Sequence, residues 1–366
     1  MRQDSSIGGL AIEEPAQQLE TRPERGWPRS RPSVSAVIPV FNGKRYLAEA
    51  VASVAAQTVG PSELIIVDDG SEDDSLSTID VRALPFPARI VRQANAGQSS
   101  ARNHGARLAQ GDVIALLDQD DRWYPHHLER LLAPFISDPA LGFTYSDLDE
   151  IDSEGSLVCL GRLHWSGAAH PKRSLWELLA GDMFIVPSAT LIRRDAFLSV
   201  DGFDEQFSGY EDDDLFIRMF RAGYTHAFVN ESLSQWRIHR GSTSYTNRMN
   251  ISRRLFAQKL MTMCPDEPQV EHWWVRDYIA PRFFRRALHQ FHRAAISGDF
   301  AACRESQQEA QFFADRMVCG PRLRVRLALM RRPRAYRLLY QWWRRDPGLL
   351  NPPKSDKPET IIHPRV

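Results

Sequence analysis

The residues best suited to chemistry form a cluster of carboxylates directly after an apolar run. Leu116-Leu117 leads into Asp118-Gln119-Asp120-Asp121, so a buried strand would deliver two aspartates separated by one residue. Hard cations such as Mg2+ and Mn2+ prefer oxygen ligands, and Mg2+ is often held by one or two carboxylates together with substrate phosphates. Asp118 and Asp120 are therefore candidate metal ligands. The pattern also fits a solvated acidic turn before a helix, with Asp121 favoured by the helix dipole.

A second run of carboxylates, Glu211-Asp212-Asp213-Asp214, opens a predicted helix. Asp212 shares a helix face with apolar residues three, four and seven positions later, so it belongs to the face that packs inward. Asp214 can instead pair with Arg218 one turn later, and we expect it to be structural. Taken alone, the run is also explained by the preference of a helix start for negative charge.

The elements around these clusters predict an α/β fold. Short apolar runs predict buried strands, and apolar residues spaced three and four apart predict helices between them. The predicted strands are residues 34–40, 64–67, 89–91 and 113–117. Strands that alternate with helices indicate a parallel, doubly wound sheet, in which ligands bind beyond the carboxyl ends of the strands. Polar clusters stand at three such ends, namely Pro39–Asn42, Asp68–Ser71 and Asp118–Asp121.

Several motifs in this order resemble those of family-two glycosyltransferases. They are Val37-Ile38-Pro39-Val40-Phe41-Asn42, Val67-Asp68-Asp69-Gly70-Ser71, Asn95-Ala96-Gly97 with Ala101-Arg102-Asn103, and Asp118-Gln119-Asp120-Asp121. The resemblance covers roughly residues 33 to 243 and implies the GT-A fold, a Rossmann-like, mostly parallel sheet. It also implies inverting, metal-dependent transfer of a sugar from a nucleoside diphosphate sugar to an acceptor hydroxyl, with Mn2+ or Mg2+ as cofactor. Uridine is the base that the resemblance favours.

The predicted substrate-binding residues are Pro39, Val40, Phe41, Asn42, Asp69, Gly97, Arg102, Asp118 and Trp123. The resemblance implies that the Pro39–Asn42 loop lines the nucleotide pocket. Asp69 would contact the base or ribose by accepting hydrogen bonds, and Asp68 either does the same or caps the next turn. Arg102 either contacts phosphate or pairs with Asp118 or Asp120 as part of the scaffold. Trp123 either positions substrate hydroxyls or packs in the core.

On the acceptor side, the attacking hydroxyl needs a base that takes its proton. By the match of Gly209–Asp214 to the family's Glu-Asp motif, Asp212 would be that base, and Glu211 would position the acceptor or the base. Within Trp236–Ser242, the resemblance implies that His239 reaches the diphosphate or the metal. Imidazole is a competent but not a preferred ligand for such a hard ion.

The amino-acid composition limits the possible binding partners of the protein and the cellular compartment in which it works. The 46 basic residues balance the 46 acidic ones, so the charge does not call for nucleic acid as a partner. The four cysteines, at 159, 264, 303 and 319, have no metal-ligand spacing and fit a reducing compartment. Neither a signal peptide nor an apolar stretch of about 18 residues is evident. We therefore expect a cytoplasmic protein.

The chain divides into four predicted parts: a disordered leader (1–32), the GT-A domain (33–245), a helical basic extension (246–345) and a flexible tail (346–366). Residues 316–345 hold ten arginines and no acidic residue, with leucines and tryptophans between them. Such a segment either rests on an anionic membrane surface, at the inner face of the membrane, or packs on the protein's own acidic surface. The resemblance implies a saccharide or lipid-linked acceptor, and a lipid-linked one would suit the membrane arrangement.

Two other functions share parts of this pattern. A non-catalytic nucleotide-sugar binding module would keep the fold but is expected to lose the metal carboxylates or the base, whereas Asp118, Asp120 and Asp212 are all present. A sugar-phosphate nucleotidyltransferase should carry a Gly-rich phosphate loop after the first strand, and Phe41–Arg45 is only a faint match. The resemblance favours a transferase in bacterial surface polysaccharide or glycolipid assembly.

Overall fold

The computed structural model describes residues 31–166, 169–239 and 247–338. The predicted leader, except for its last two residues, and the predicted tail lie outside these ranges. In the described part, nine strands form one sheet in the order β3-β2-β1-β4-β8-β6-β9-β5, with β7 paired to β6. The strands are β1 Val34–Val40, β2 Glu63–Asp68, β3 Ala88–Arg92, β4 Val113–Leu116, β5 Arg122–Trp123, β6 Phe143–Ile151, β7 Leu157–Cys159, β8 Thr190–Arg193 and β9 His226–Arg237.

Helices cover both faces of the sheet and continue beyond it. They are α1 Leu47–Ala55, α2 Gln98–Leu108, α3 His127–Ser137, α4 Arg162–Ser166, α5 Leu175–Ala180, α6 Arg194–Ser199, α7 Glu211–Arg221, α8 Asn247–Met263, α9 Ala280–Ser297, α10 Phe300–Ala314 and α11 Pro321–Met330. The last four form the predicted helical carboxyl-terminal region. No helix in the described ranges is both long enough and apolar enough to cross a bilayer.

The first four strands are parallel, which confirms the predicted α/β class. Val37 of β1 lies opposite Ile65 of β2 on one side and Leu116 of β4 on the other. This register brings the carboxyl ends of the three strands to one edge of the sheet. The remaining strands make the sheet mixed, because β8 runs antiparallel to both β4 and β6 while β6 and β9 are parallel.

The apolar core on one face of the sheet continues into the carboxyl-terminal helices. A single cluster of buried side chains includes Val37 of β1, Phe216 of α7, Phe256 of α8, Phe283 of α9 and Phe313 of α10. Burying a side chain of this size contributes about 1.5–3 kcal/mol. The boundary at residue 245 stays a prediction, but the helices that follow it share their core with the sheet.

Candidate functional site

A cavity of about 880 Å³ opens at the carboxyl ends of β1, β2 and β4. Its wall is built from the loops after these strands, the first turns of α2 and α7, and the facing sides of α8 and α9. The predicted site residues on the wall are Pro39, Val40, Phe41, Asp69, Gly97, Arg102, Asp118, Asp120, Glu211, Asp212 and His239. The fold therefore brings together groups that are up to two hundred residues apart in the chain.

Arg102 joins the two carboxylate clusters. From α2 it donates hydrogen bonds to Asp118 Oδ1 at 2.6 Å and to Glu211 Oε1 at 3.1 Å, and its side chain is only 1% exposed. Buried guanidinium groups of this kind hold carboxylates in fixed orientations. Between the two roles open from the sequence, this geometry supports the scaffold role for Arg102.

The turn that carries Asp120 is held by residues that the sequence did not single out. Gln119 accepts a hydrogen bond from Phe41 N–H at 2.9 Å and donates one to Phe41 O at 3.0 Å. Arg237 is buried and donates from Nε to Asp120 O at 2.8 Å and from its own N–H to Asp121 Oδ1 at 2.9 Å. These pairs could not be predicted from residue spacing, because they join segments that are far apart in the sequence.

The chemistry of the residues at this turn is compatible with a divalent cation. Asp118 and Asp120 have 22% and 23% of their side chains exposed at the cavity, and Asp120 Oδ2 lies 2.8 Å from His239 Nε2. Burial, and then the charges of Asp120 and Asp118, raise the pKa of the Asp121 carboxyl well above its ordinary value. A cation would relieve this excess of negative charge.

Within the described ranges, no group of three or more His, Cys, Asp or Glu side chains is arranged to hold a metal by itself. Mg2+ commonly takes one or two carboxylates and completes its shell with substrate phosphates and water. Asp118 and Asp120 therefore suit a metal that arrives with a diphosphate. His239, which bonds to Asp120, lies beside that position.

Asp69 organises the loop that begins α2. Its carboxylate accepts hydrogen bonds from Ala96 N–H at 2.9 Å, from Gly97 N–H at 2.8 Å and from Gln93 Nε2 at 2.8 Å. Gly97 has φ of 95°, a region that favours glycine. Asp68 accepts a bond from the N–H of Ser71 at 2.9 Å and so caps the next turn, as one of its two predicted roles required.

Two predicted donor contacts lie off the cavity wall. Trp123 is 4% exposed, and its indole N–H donates to Ser188 O at 2.8 Å while its ring stacks on His127 with centroids 4.4 Å apart. The structure thus places Trp123 in the core, because β5 turns the side chain inward. Asn42 accepts a bond from Glu72 N–H at 2.9 Å and stabilises the loop. Phe41, by contrast, is 44% exposed at the cavity.

Asp212 differs from its neighbours because it forms no salt bridge within the described part of the chain, although the positive charge of Arg102 acts on it. Asp213 pairs with Arg282 of α9, and Asp214 is buried between Arg218 at 2.7 Å and Lys259 at 2.6 Å, which confirms its structural role. Asp212 accepts a bond from Asp213 N–H at 2.8 Å. Burial, and then the charges of Asp213 and Glu211, raise the pKa of Asp212 well above the ordinary carboxyl value.

A carboxyl group with a raised pKa at a cavity wall is suited to accepting a proton. Glu211 beside it is fixed by two contacts, since its Oε1 accepts from Arg102 and its Oε2 accepts from Gly209 N–H at 2.6 Å. The cavity therefore has the Asp118–Asp121 turn on one side and Glu211 with Asp212 on another, and Arg102 links Asp118 to Glu211.

Residues 35–200 match the protein-family model for glycosyl transferase family 2. Residues 184–242 match a second family model, the N-terminal domain of galactosyltransferase. The sequence is 32% identical over 219 residues to the uncharacterized glycosyltransferase RP339 of Rickettsia prowazekii, covering 59% of this chain and 67% of the relative. The chain belongs to glycosyltransferase family two.

Other relatives match over smaller parts of their length. An uncharacterized glycosyltransferase of Nostoc is 40% identical over 127 residues, which is 34% of this chain and 39% of the relative. Chondroitin synthase of Escherichia coli is 31% identical over 193 residues, 52% of this chain and 27% of the relative. This chain therefore spans well under half of either protein.

The GT-A fold is also that of a solved structure, S. aureus TarS 1–349 in complex with UDP-GlcNAc. The two share 17% sequence identity with a TM-score of 0.58, over 86% of this chain and 92% of the other. The similarity extends past the sheet into the carboxyl-terminal helices.

Proposed function

We propose that this glycosyltransferase is metal-dependent and inverting, and that it transfers a sugar from a UDP-sugar to an acceptor hydroxyl. The observation that carries the proposal is Asp212, a carboxylate that forms no salt bridge within the described residues, at the same cavity as Asp118 and Asp120. The UDP-GlcNAc bound by the structural neighbour supports the choice of donor.

At the donor end, the strand-end loops would receive the nucleotide. Phe41 offers an exposed ring for stacking on the base, and the 95–97 turn presents backbone near Asp69. Asp118 and Asp120 would hold Mn2+ or Mg2+, which neutralises charge on the departing diphosphate when bound. Arg102 keeps Asp118 oriented toward this position, so the turn is ordered before the donor arrives.

At the acceptor end, Asp212 would take the proton of the attacking hydroxyl as the new bond to the anomeric carbon forms. The nucleoside diphosphate leaves from the opposite face, so one displacement inverts the configuration and no sugar is bound to the enzyme. Glu211, fixed by Arg102 and Gly209 N–H, would accept a bond from the acceptor or position Asp212.

Product analysis tests this mechanism. The protein is incubated with Mn2+ and a panel of α-linked UDP-sugars and saccharide acceptors, and the anomeric configuration of any product is read by proton NMR. A β-linked product that Asp212→Asn abolishes, while the exposed α6 variant Asp195→Asn retains it, supports the proposal. An α-linked product would overturn inversion.

The setting we propose is the cytoplasm, with a saccharide or lipid-linked acceptor of bacterial surface polysaccharide or glycolipid assembly and peripheral contact with the membrane. The described part of the Arg-rich segment limits how it can make this contact, because Leu327 and Met330 of α11 are buried in the core. Exposed arginines such as Arg324, Arg331 and Arg332 remain on the surface. Their triple change to Gln should reduce co-sedimentation with anionic vesicles; unchanged binding would remove the membrane proposal.

A further inference from the structure

The wall of the cavity formed by α9 carries positive charge. Arg286, His289 and Arg293 line the cavity and are exposed. Their spacing of three, four and seven residues places them on one side of the helix, over about 10 Å of its length. The other side of α9 packs into the core through Phe283, Phe284, Ala287 and Phe291. The orientation of this basic wall is therefore set by the buried side of the helix.

Other cations at the cavity are already neutralised. Arg102 pairs with Asp118 and Glu211, and Arg253 pairs with Glu309 at 2.8 Å. On the basic wall, Arg286 contacts Asp182, but that carboxylate also pairs with Arg282 at 3.3 Å. Within the described residues, neither His289 nor Arg293 has a carboxylate partner. The wall therefore presents net positive charge to the cavity.

The position of the wall associates it with the acceptor. Arg282, at the start of α9, pairs with Asp213, the residue next to Asp212. Arg286 follows one turn later, roughly 6 Å along the helix. The predicted donor contacts on the cavity wall come instead from the ends of β1, β2 and β4 and from the start of α2. An acceptor whose hydroxyl reaches Asp212 would extend along α9.

From this geometry we infer that the acceptor carries an anionic group, a phosphate or a carboxylate, that Arg286 and Arg293 bind. Guanidinium groups match both anions with paired, charge-assisted hydrogen bonds. The inference rests on the proposed function, because it assigns the basic wall to the substrate whose hydroxyl Asp212 activates. It narrows the acceptor to molecules that carry a phosphate or a carboxylate in addition to the attacking hydroxyl.

The test uses the full chain saturated with UDP and Mg2+. Binding of glycerol 3-phosphate and glucuronate, and of their neutral counterparts glycerol and glucose, is measured by saturation-transfer NMR titration. We expect at least one anionic probe to bind in preference to its counterpart. A double change, Arg286→Gln with Arg293→Gln, should weaken that binding by about tenfold or more. Arg254→Gln, an exposed α8 change off the cavity wall, should leave it unaltered.

The outcomes separate this inference from the proposed function. Preference for the phosphate probe indicates a phosphate-bearing acceptor, and preference for glucuronate indicates a uronic acid. Equal binding of charged and neutral probes, no binding of any probe, or full binding by the double variant would overturn the inference. A parallel loss of UDP affinity would assign the wall to the donor instead. If UDP itself does not bind the wild-type protein, the donor proposal fails, and the probes are titrated without UDP.

Discussion

Replacing Arg102 should separate a positioning role from contact with the donor. Arg102→Met leaves Asp118 and Glu211 without their buried cation, and breaking a buried pair in this way costs about 3–5 kcal/mol. At about 2–4 °C per kcal/mol, the melting temperature should fall by about 6–20 °C. Arg102→Lys keeps the charge, but one ammonium group does not reproduce the fork and loses a charge-assisted bond of about 1.5–3 kcal/mol.

Calorimetry and transfer rates are measured for the wild-type protein, for Arg102→Met and for Arg102→Lys. Arg92→Met is the matched control, since Arg92 is 74% exposed and lies 3.4 Å from Asp68, and such surface pairs contribute about 0–1 kcal/mol. We expect the affinity for uridine alone to be the same in all variants, while Mn2+-dependent affinity for UDP and the transfer rate fall with Arg102. An unchanged melting temperature in Arg102→Met would refute the buried link.

Three further predictions concern Asp212 and two aromatic residues, Phe41 on the cavity wall and Trp123 in the core. Asp212→Asn should reduce the transfer rate about 10²–10⁴-fold. It should not lower the melting temperature at pH 7, because the pKa of Asp212 is higher in the folded than in the unfolded protein, so that its ionised carboxylate destabilises the fold. A lower melting temperature would contradict this. The transfer rate should fall as the pH drops through that raised pKa, at a pH above the ordinary carboxyl value of about 4, and a rate independent of pH between 4 and 8 would exclude Asp212 as the base. Phe41→Ala should weaken UDP binding about 5–150-fold if its ring stacks on the base, whereas Trp123→Phe should lower stability with little effect on UDP affinity.

Local pattern predicts the half of the sheet that carries the donor site. Apolar runs identify β1, β2, β3 and β4, and parallel order then places their polar ends at one edge. Strands β6 and β9 do not alternate clearly in sequence, and they pair only because distant segments meet. The mixed half of the sheet therefore depends on tertiary contacts that no local window contains.

The same distinction applies to the site. Asp118, Asp120 and Asp212 could be selected because each follows a strand or begins a helix in a recognisable motif. The fork from Arg102 to Glu211 spans more than a hundred residues, and Arg237 reaches Asp120 across a similar separation. The direction of the Trp123 side chain also could not be predicted from the sequence, and the structure shows that β5 points its indole into the core. The basic wall of α9 becomes visible only when the helix is packed against the cavity.

Calorimetric titration of UDP with and without Mn2+ tests the central claim most directly. The wild-type protein is compared with Asp120→Ala and with the control Asp195→Ala, whose side chain is exposed on α6. We predict UDP binding that strengthens with Mn2+, loses this gain in Asp120→Ala and keeps it in Asp195→Ala. Binding of UDP that is equally strong with and without the metal, or no binding of UDP at all, would contradict a metal-dependent donor site at this cavity.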